Sequence, residues 1–177
     1  GQAQAAITSA ISKDNTLYSH SSPTVNDMSF GSYEVGGFPV FGMDHRDAGS
    51  LDQQRGGVAM ANLLTDLSAQ GVTASSQIGL AELVLWQAFP HVAPERTFNA
   101  HRMTTGGWEN ETGNVLWGYT DGASTWNNVH HGGTDTPSVG GTPWTTAGGD
   151  YDGTSLGSLT MEGVDPTGSP IERRVEI

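Results

Sequence analysis

Ile78-Gly79-Leu80-Ala81-Glu82-Leu83-Val84-Leu85-Trp86-Gln87-Ala88-Phe89 is the stretch on which the fold turns. Two-residue alternation puts Leu80, Glu82, Val84, Trp86 and Ala88 on one face and Gly79, Ala81, Leu83, Leu85 and Gln87 on the other. Both sets are largely apolar, which predicts a central strand from Ile78 to Phe89 covered on both sides. Thr97 to Met103 alternates as well, with Phe98, Ala100 and Arg102 opposite Thr97, Asn99, His101 and Met103. Shorter strand-like pieces are Thr16 to Ser19, Tyr33 to Phe41, Ser158 to Met161 and Glu172 to Ile177.

Helical periodicity is weak elsewhere. The best window, Gly57 to Leu67 with Val58, Ala61, Leu64 and Leu67, fits a strand followed by a turn equally well, because Val58 and Met60 alternate with small residues. Strand then turn is the preferred reading, with Thr65-Asp66-Leu67-Ser68 closing the segment. Between Gly106 and Gly157 the chain is dominated by Gly, Thr, Asn, Asp and Trp, which predicts long ordered loops. Many short strands joined by glycine-rich turns predict an all-β, antiparallel sandwich. No fixed-period repeat or linker divides the chain, so one domain over residues 14–177 is expected, preceded by an arm over residues 1–13.

The composition narrows the function classes. The chain has 177 residues, with 7 Lys+Arg against 19 Asp+Glu for a formal charge of −12, 25 Gly, 5 Trp and no Cys. The absence of cysteine excludes a disulfide framework and thiolate or Cys-zinc chemistry. Lys13 is the sole lysine and the six arginines are scattered, so no basic stripe exists to follow a phosphate backbone and nucleic acid is not an expected partner. With 35% apolar residues and no long apolar run, insertion into a membrane is not expected either.

Several segments, read in order, resemble the DNRLRE domain, a family related to carbohydrate-binding modules. They are Lys13-Asp14-Asn15-Thr16-Leu17-Tyr18, Arg55-Gly56-Gly57-Val58-Ala59-Met60-Ala61-Asn62-Leu63, the Asp-Leu-Ser of Leu64-Thr65-Asp66-Leu67-Ser68, and Ala81-Glu82-Leu83-Val84-Leu85. Downstream, His101-Arg102-Met103-Thr104 with Trp108-Glu109 is similar to the family's R-x-T…W-x-E. Ser124-Thr125-Trp126-Asn127-Asn128 is similar to its T-W-N, and Pro143-Trp144-Thr145-Thr146-Ala147-Gly148-Gly149-Asp150 to its W-T-x-x-G-G-D. The resemblance implies a jelly-roll-like β-sandwich in which Trp108 and Trp126 pack as framework residues. It also implies a further strand or two beyond the one matched by Arg173 to Ile177. A sandwich ending at that strand would have an open edge, and a strand from a neighbouring copy would close it, the arm at Ala3 to Ile11 being a candidate donor.

Candidate chemistry is sparse. Glu109 and Glu111 are two apart beside Trp108, but a loop-holding role fits Glu109 better than half of a hydrolytic carboxylate pair. His130-His131 with Asp135 lacks metal-ligand spacing and reads as a solvated loop, while His101 reads as a strand residue. No nucleophile elbow or phosphate loop is present, and no enzyme is expected. Calcium is the metal the oxygen-rich turns could hold, with Asp150 and Asp152 as ligands and Asp121 or Asp14 joining them if the sandwich ends converge. The competing reading is that these aspartates bond their own turns. For a polysaccharide, Trp117, Tyr119 and Trp144 would supply flat rings and Asn127 and Asn128 planar polar groups.

The expectation drawn from these points is a non-catalytic structural protein, extracellular or on a cell or virion surface. It would join copies of itself into a filament, sheath or virion decoration. The alternative is a carbohydrate-binding module.

Overall fold

A computed structural model describes residues 6–19, 28–30, 33–35, 38–40, 44–45, 53–87, 95–108, 124–131, 141–161 and 171–177. Its strands are β1 (Lys13–Ser19), β2 (Met28–Phe30), β3 (Tyr33–Val35), β4 (Phe38–Val40), β5 (Asp44–His45), β6 (Gln53–Ala59), β7 (Glu82–Gln87), β8 (Arg96–Ala100), β9 (Asn128–His131), β10 (Gly141–Pro143), β11 (Gly157–Met161) and β12 (Ile171–Glu176). One α-helix, α1 (Leu63–Ala69), and a 3-10 turn at Ser75–Gln77 complete the described elements. Strand residues far outnumber helical ones among the described residues, and every named strand pair is antiparallel, so the fold is all-β.

The chain forms two compact units, each built from two separate stretches. The first comprises Gly1–Gly71 and Thr105–Asp150, the second Val72–Thr104 and Tyr151–Ile177. In the first unit β2, β1, β6 and β5 lie side by side in that order, while β3 pairs with β4 and β9 with β10. The β1–β6 register aligns Asn15 with Gly57 and Leu17 with Arg55, so these four share one face. Asn15 and Leu17 are buried there with Trp108, Trp126, Val129 and Trp144. Each such indole removes on the order of 200 Å² from water, roughly 5 kcal/mol of gross stabilisation at about 25 cal/mol per Å².

The second unit holds two strand pairs, β7 with β12 and β8 with β11. In the latter Phe98 and Leu159 point inward while Thr97, Asn99, Ser158 and Thr160 are exposed, the pattern of a half-buried sheet. Where β11 begins, Gly157 meets the Glu176 carbonyl and the Val175 side chain of β12. A residue with any side chain would collide with main chain at that crossing.

The structure revises several expectations. β7 begins at Glu82, four residues later than expected, and is not covered on both faces: Leu83, Leu85 and Gln87 are half-buried, whereas Glu82, Val84 and Trp86 face water, and Ala88 and Phe89 lie outside the described residues. The reason lies in its partner, since the residues opposite the exposed three are Glu176, Arg174 and Glu172, a charged row that stays hydrated. After β6 comes a helix, not only a turn. Its half-buried side is Leu63, Asp66 and Leu67, spaced i, i+3, i+4, and Leu64, counted on the apolar stripe, is 80% exposed.

The stretch Tyr33 to Phe41 divides into β3 and β4, which pair with each other. The region read as long loops contains β9 and β10, and His130 and His131 lie in β9 opposite Thr142 and Gly141 instead of in a loop. His101 falls one residue beyond β8. Lys13, assigned to the arm, already belongs to β1. The described arm residues, 6–12, are not strand. Ser12 is tied to its own chain, its N–H and hydroxyl donating to the Ala59 carbonyl while its oxygen accepts from the Ala61 N–H. Ala6, Ile7 and Thr8 border a recess of about 260 Å³ with Asp66, Ala69 and Gln70 of the α1 segment.

Candidate functional site

In the first unit, the buried face of β1 and β6 organises the two stretches that carry the aromatic residues. The Asn15 amide donates to the Ser124 carbonyl at 2.8 Å. The Ser124 hydroxyl lies 2.7 Å from the Trp108 carbonyl and 2.8 Å from that of Val129. Asn15, Ser124 and Thr125 are completely buried, a placement that polar groups tolerate only when they are hydrogen-bonded. Sequence reasoning missed all three as core residues, because a buried polar side chain looks like a loop residue until its partner is known.

Arg55 and Gly57 receive the rings. The Arg55 guanidinium lies 5.0 Å from the centre of the Trp126 ring and donates to the Gly148 carbonyl at 2.9 Å. A cation so placed interacts with the π face while its N–H groups remain available. Gly57 lies under Trp108, where a Cβ would come within 3.0 Å of the ring. Gly148, at φ +86°, occupies backbone space open to glycine, and a Cβ there would press on both Arg55 and Trp126.

Among the residues expected to bind glycan, Trp144 is 6% exposed and its indole N–H donates to the Thr125 carbonyl at 2.8 Å. Its ring is therefore interior and cannot offer a flat face to a sugar. Asn127 and Asn128 lie beside Trp144 in the fold, the Asn127 carbonyl accepting from the Trp144 main-chain N–H and the Asn128 N–H donating to the Thr125 hydroxyl. Trp117 and Tyr119 lie outside the described residues, as do Glu109, Glu111, Asp121 and Asp135.

The carboxylates proposed for calcium are engaged in turns. Asp150, in the first unit, accepts from the Thr146 N–H at 2.8 Å, the Thr145 N–H at 3.0 Å and the Thr105 hydroxyl at 2.9 Å. The Thr145 N–H is the foremost of the donors that hold its carboxyl below the ordinary value of 3.8. Asp152, in the second unit, accepts from the Thr154 N–H at 2.9 Å, which likewise lowers its pKa. Its other oxygen is 3.7 Å from Arg102. Asp14 is in β1, but its side chain is outside the description. Among the described residues no three His, Asp or Glu side chains gather where an ion could sit, and no helix is long and apolar enough to cross a membrane.

The Asp150 clip makes a prediction for acid solutions. Its pKa is depressed on folding, so its contribution is fully present above the ordinary value of 3.8 and is lost as pH falls through the lower folded value. The wild-type melting temperature is expected to fall below about pH 4. Asp150→Asn should melt lower than wild type at pH 6 and show a shallower acid decline. Parallel melting curves for the two proteins from pH 6 to pH 2.5 would discard the clip.

In the second unit the water-facing side of β7 and β12 carries Val84 and Trp86 beside an ionic ladder. Arg174 donates through Nε to Glu172 at 2.6 Å and through Nη1 to Glu82 at 3.0 Å, and the Glu172 bond leads the causes that raise its pKa. At one end of this pair the Ile177 N–H bonds the Ala81 carbonyl, and the Gly157 crossing lies beside Glu176. Ile78, Leu80, Leu156 and Ile177, all exposed, belong to the segments that meet there. No family model, curated protein or solved structure matches this chain.

Proposed function

We propose that this chain is a non-catalytic structural subunit, extracellular or on a cell or virion surface. In this reading it is a DNRLRE-like jelly-roll β-sandwich that joins copies of itself into a filament, sheath or particle decoration. The observation that carries the reading is the imbalance of the second unit. Its buried apolar side chains are Leu159 and Val175, against exposed Ile78, Leu80, Val84, Trp86, Leu156 and Ile177 among the described residues. Paired strands gain independent stability only when an apolar face is covered, and exposed apolar clusters on a folded surface mark contacts with other molecules. Asp150 and Asp152 accept hydrogen bonds from the N–H groups of their own turns, a structural use of these carboxylates.

Sedimentation velocity across a hundredfold concentration range, with negative-stain microscopy of the same samples, tests the reading. Regular polymers are expected from the wild type. Leu80→Lys with Leu156→Lys should disperse them while the far-ultraviolet circular dichroism is unchanged. Monomers at every concentration would overturn self-assembly and move the weight to polysaccharide recognition, which a glycan array would then examine.

A further inference from the structure

Two features of the second unit are complementary and lie at opposite ends of the β7–β12 pair. The first is Trp86, 62% exposed, directly across the ladder from Glu172. An indole face with a carboxylate beside it is a seat for a guanidinium, which can lie flat on the ring while an N–H points to the oxygen. The chain already uses the stacking half of this chemistry in the first unit, where Arg55 covers Trp126.

The second feature is Arg102. Its side chain is 71% exposed, and its described ion pair, with Asp152, is long at 3.7 Å. The other described arginines are more fully engaged: Arg55 on Trp126, Arg173 on Gln87, Arg174 between two glutamates, and Arg96 half-buried. Arg102 therefore gives up least on meeting a new acceptor. In a chain of formal charge −12 such a cation is scarce, and it is attracted to the acidic surface of another copy.

Position decides how the two could meet. Gly157 pairs with Ala100 at the end of β8, and the same Gly157 touches Glu176, so Arg102 belongs to the Glu176 end of the strand pair. Trp86 and Glu172 are four residues along from the Glu82–Glu176 pair, about 13 Å away at the rise of a strand. A donor and its acceptor at opposite ends make a head-to-tail contact, which repeats into an open polymer unless rotation closes a ring.

We propose that Arg102 of one copy stacks on Trp86 of the next and bonds its Glu172, so that the second unit propagates the assembly. This rests on the self-assembly reading above. The test is a charge swap followed by sedimentation velocity, with circular dichroism to check each fold. Arg102→Glu and Glu172→Arg should each weaken association roughly tenfold or more, and the double variant should recover part of the loss by exchanging the signs of the pair, the rest being the Arg174–Glu172 bond that Glu172→Arg removes. Trp86→Gln, which leaves the ion pairs of the ladder in place, should also weaken it.

If the wild type polymerises but Arg102→Glu polymerises equally well, this contact is wrong and self-assembly stands. Failure of the double variant to recover would likewise overturn the Arg102–Glu172 pairing. A wild type that stays monomeric would instead sink the self-assembly reading.

Discussion

Gly157→Ala is expected to lower stability by about 3 kcal/mol or more, the upper range for forcing a methyl group into closed space. The added Cβ would meet the Glu176 carbonyl and the Val175 side chain, so β11 or β12 must move as main chain. A flexible side chain could swing aside, but a carbonyl fixed in the β7–β12 ladder cannot, because Glu176 is paired with Glu82. Leu159 and Val175, the buried apolar residues among those described in the second unit, belong to the two strands that would be pushed apart. Urea denaturation of the variant checks this through its midpoint. A loss below about 0.5 kcal/mol, the scale of an ordinary surface substitution, would mean that the close crossing is absent.

Trp126→Ala carries the second large effect, about 3 to 5 kcal/mol by analogy with other aromatic truncations in cores. The ring is buried between the Arg55 guanidinium and Gly148. Removing it leaves a cavity and also strips one face from a part-buried cation that donates to the Gly148 carbonyl. Trp126→Phe retains a ring of smaller area and should lose less than the alanine variant, which separates the stacking contribution from simple volume. Equal losses in the two variants would show that the cation–π contact contributes little. Near-ultraviolet circular dichroism should report the truncation as well, since Trp108, Trp126 and Trp144 are all held in the interior.

The strands were the most legible part of the sequence. Alternation located β7, β8, β11 and β12, in each case within four residues at the ends. What alternation could not show was cover: the apolar residues on both sides of β7 suggested burial on both faces, but Glu172, Arg174 and Glu176 opposite them keep one face in water. α1 was hidden by phase, because Leu63 and Leu67 turn partly inward while Leu64, the most apolar-looking member of the assumed stripe, points out. Among the candidate site residues, Trp144 reads as a surface ring because it falls in the loop-rich half with Asn and Asp residues and outside the framework positions matched by Trp108 and Trp126. Its interior position depends on the Thr125 carbonyl, 19 residues earlier in the chain. Contacts of that span, like Asn15 with Ser124, leave no periodic trace.

The division of the chain has a consequence for its biosynthesis. Residues Val72–Thr104 interrupt the first unit, and Thr105–Asp150 interrupt the second. The bonds that close the first unit join Asn15 to Ser124 and Arg55 to Gly148, separations of 109 and 93 residues. A nascent chain released residue by residue therefore holds β1 and β6 without their covering rings until translation has passed Gly148. β7 must wait longer still, for Ile171–Glu176. Loops this long close slowly and leave strand edges uncovered in the interval. The vulnerable period of this molecule is thus the ribosome-bound one, when half-built sheets from neighbouring polysomes could pair with each other. Slowing translation just beyond Met60 should increase insoluble product far more than an equal pause after Glu176.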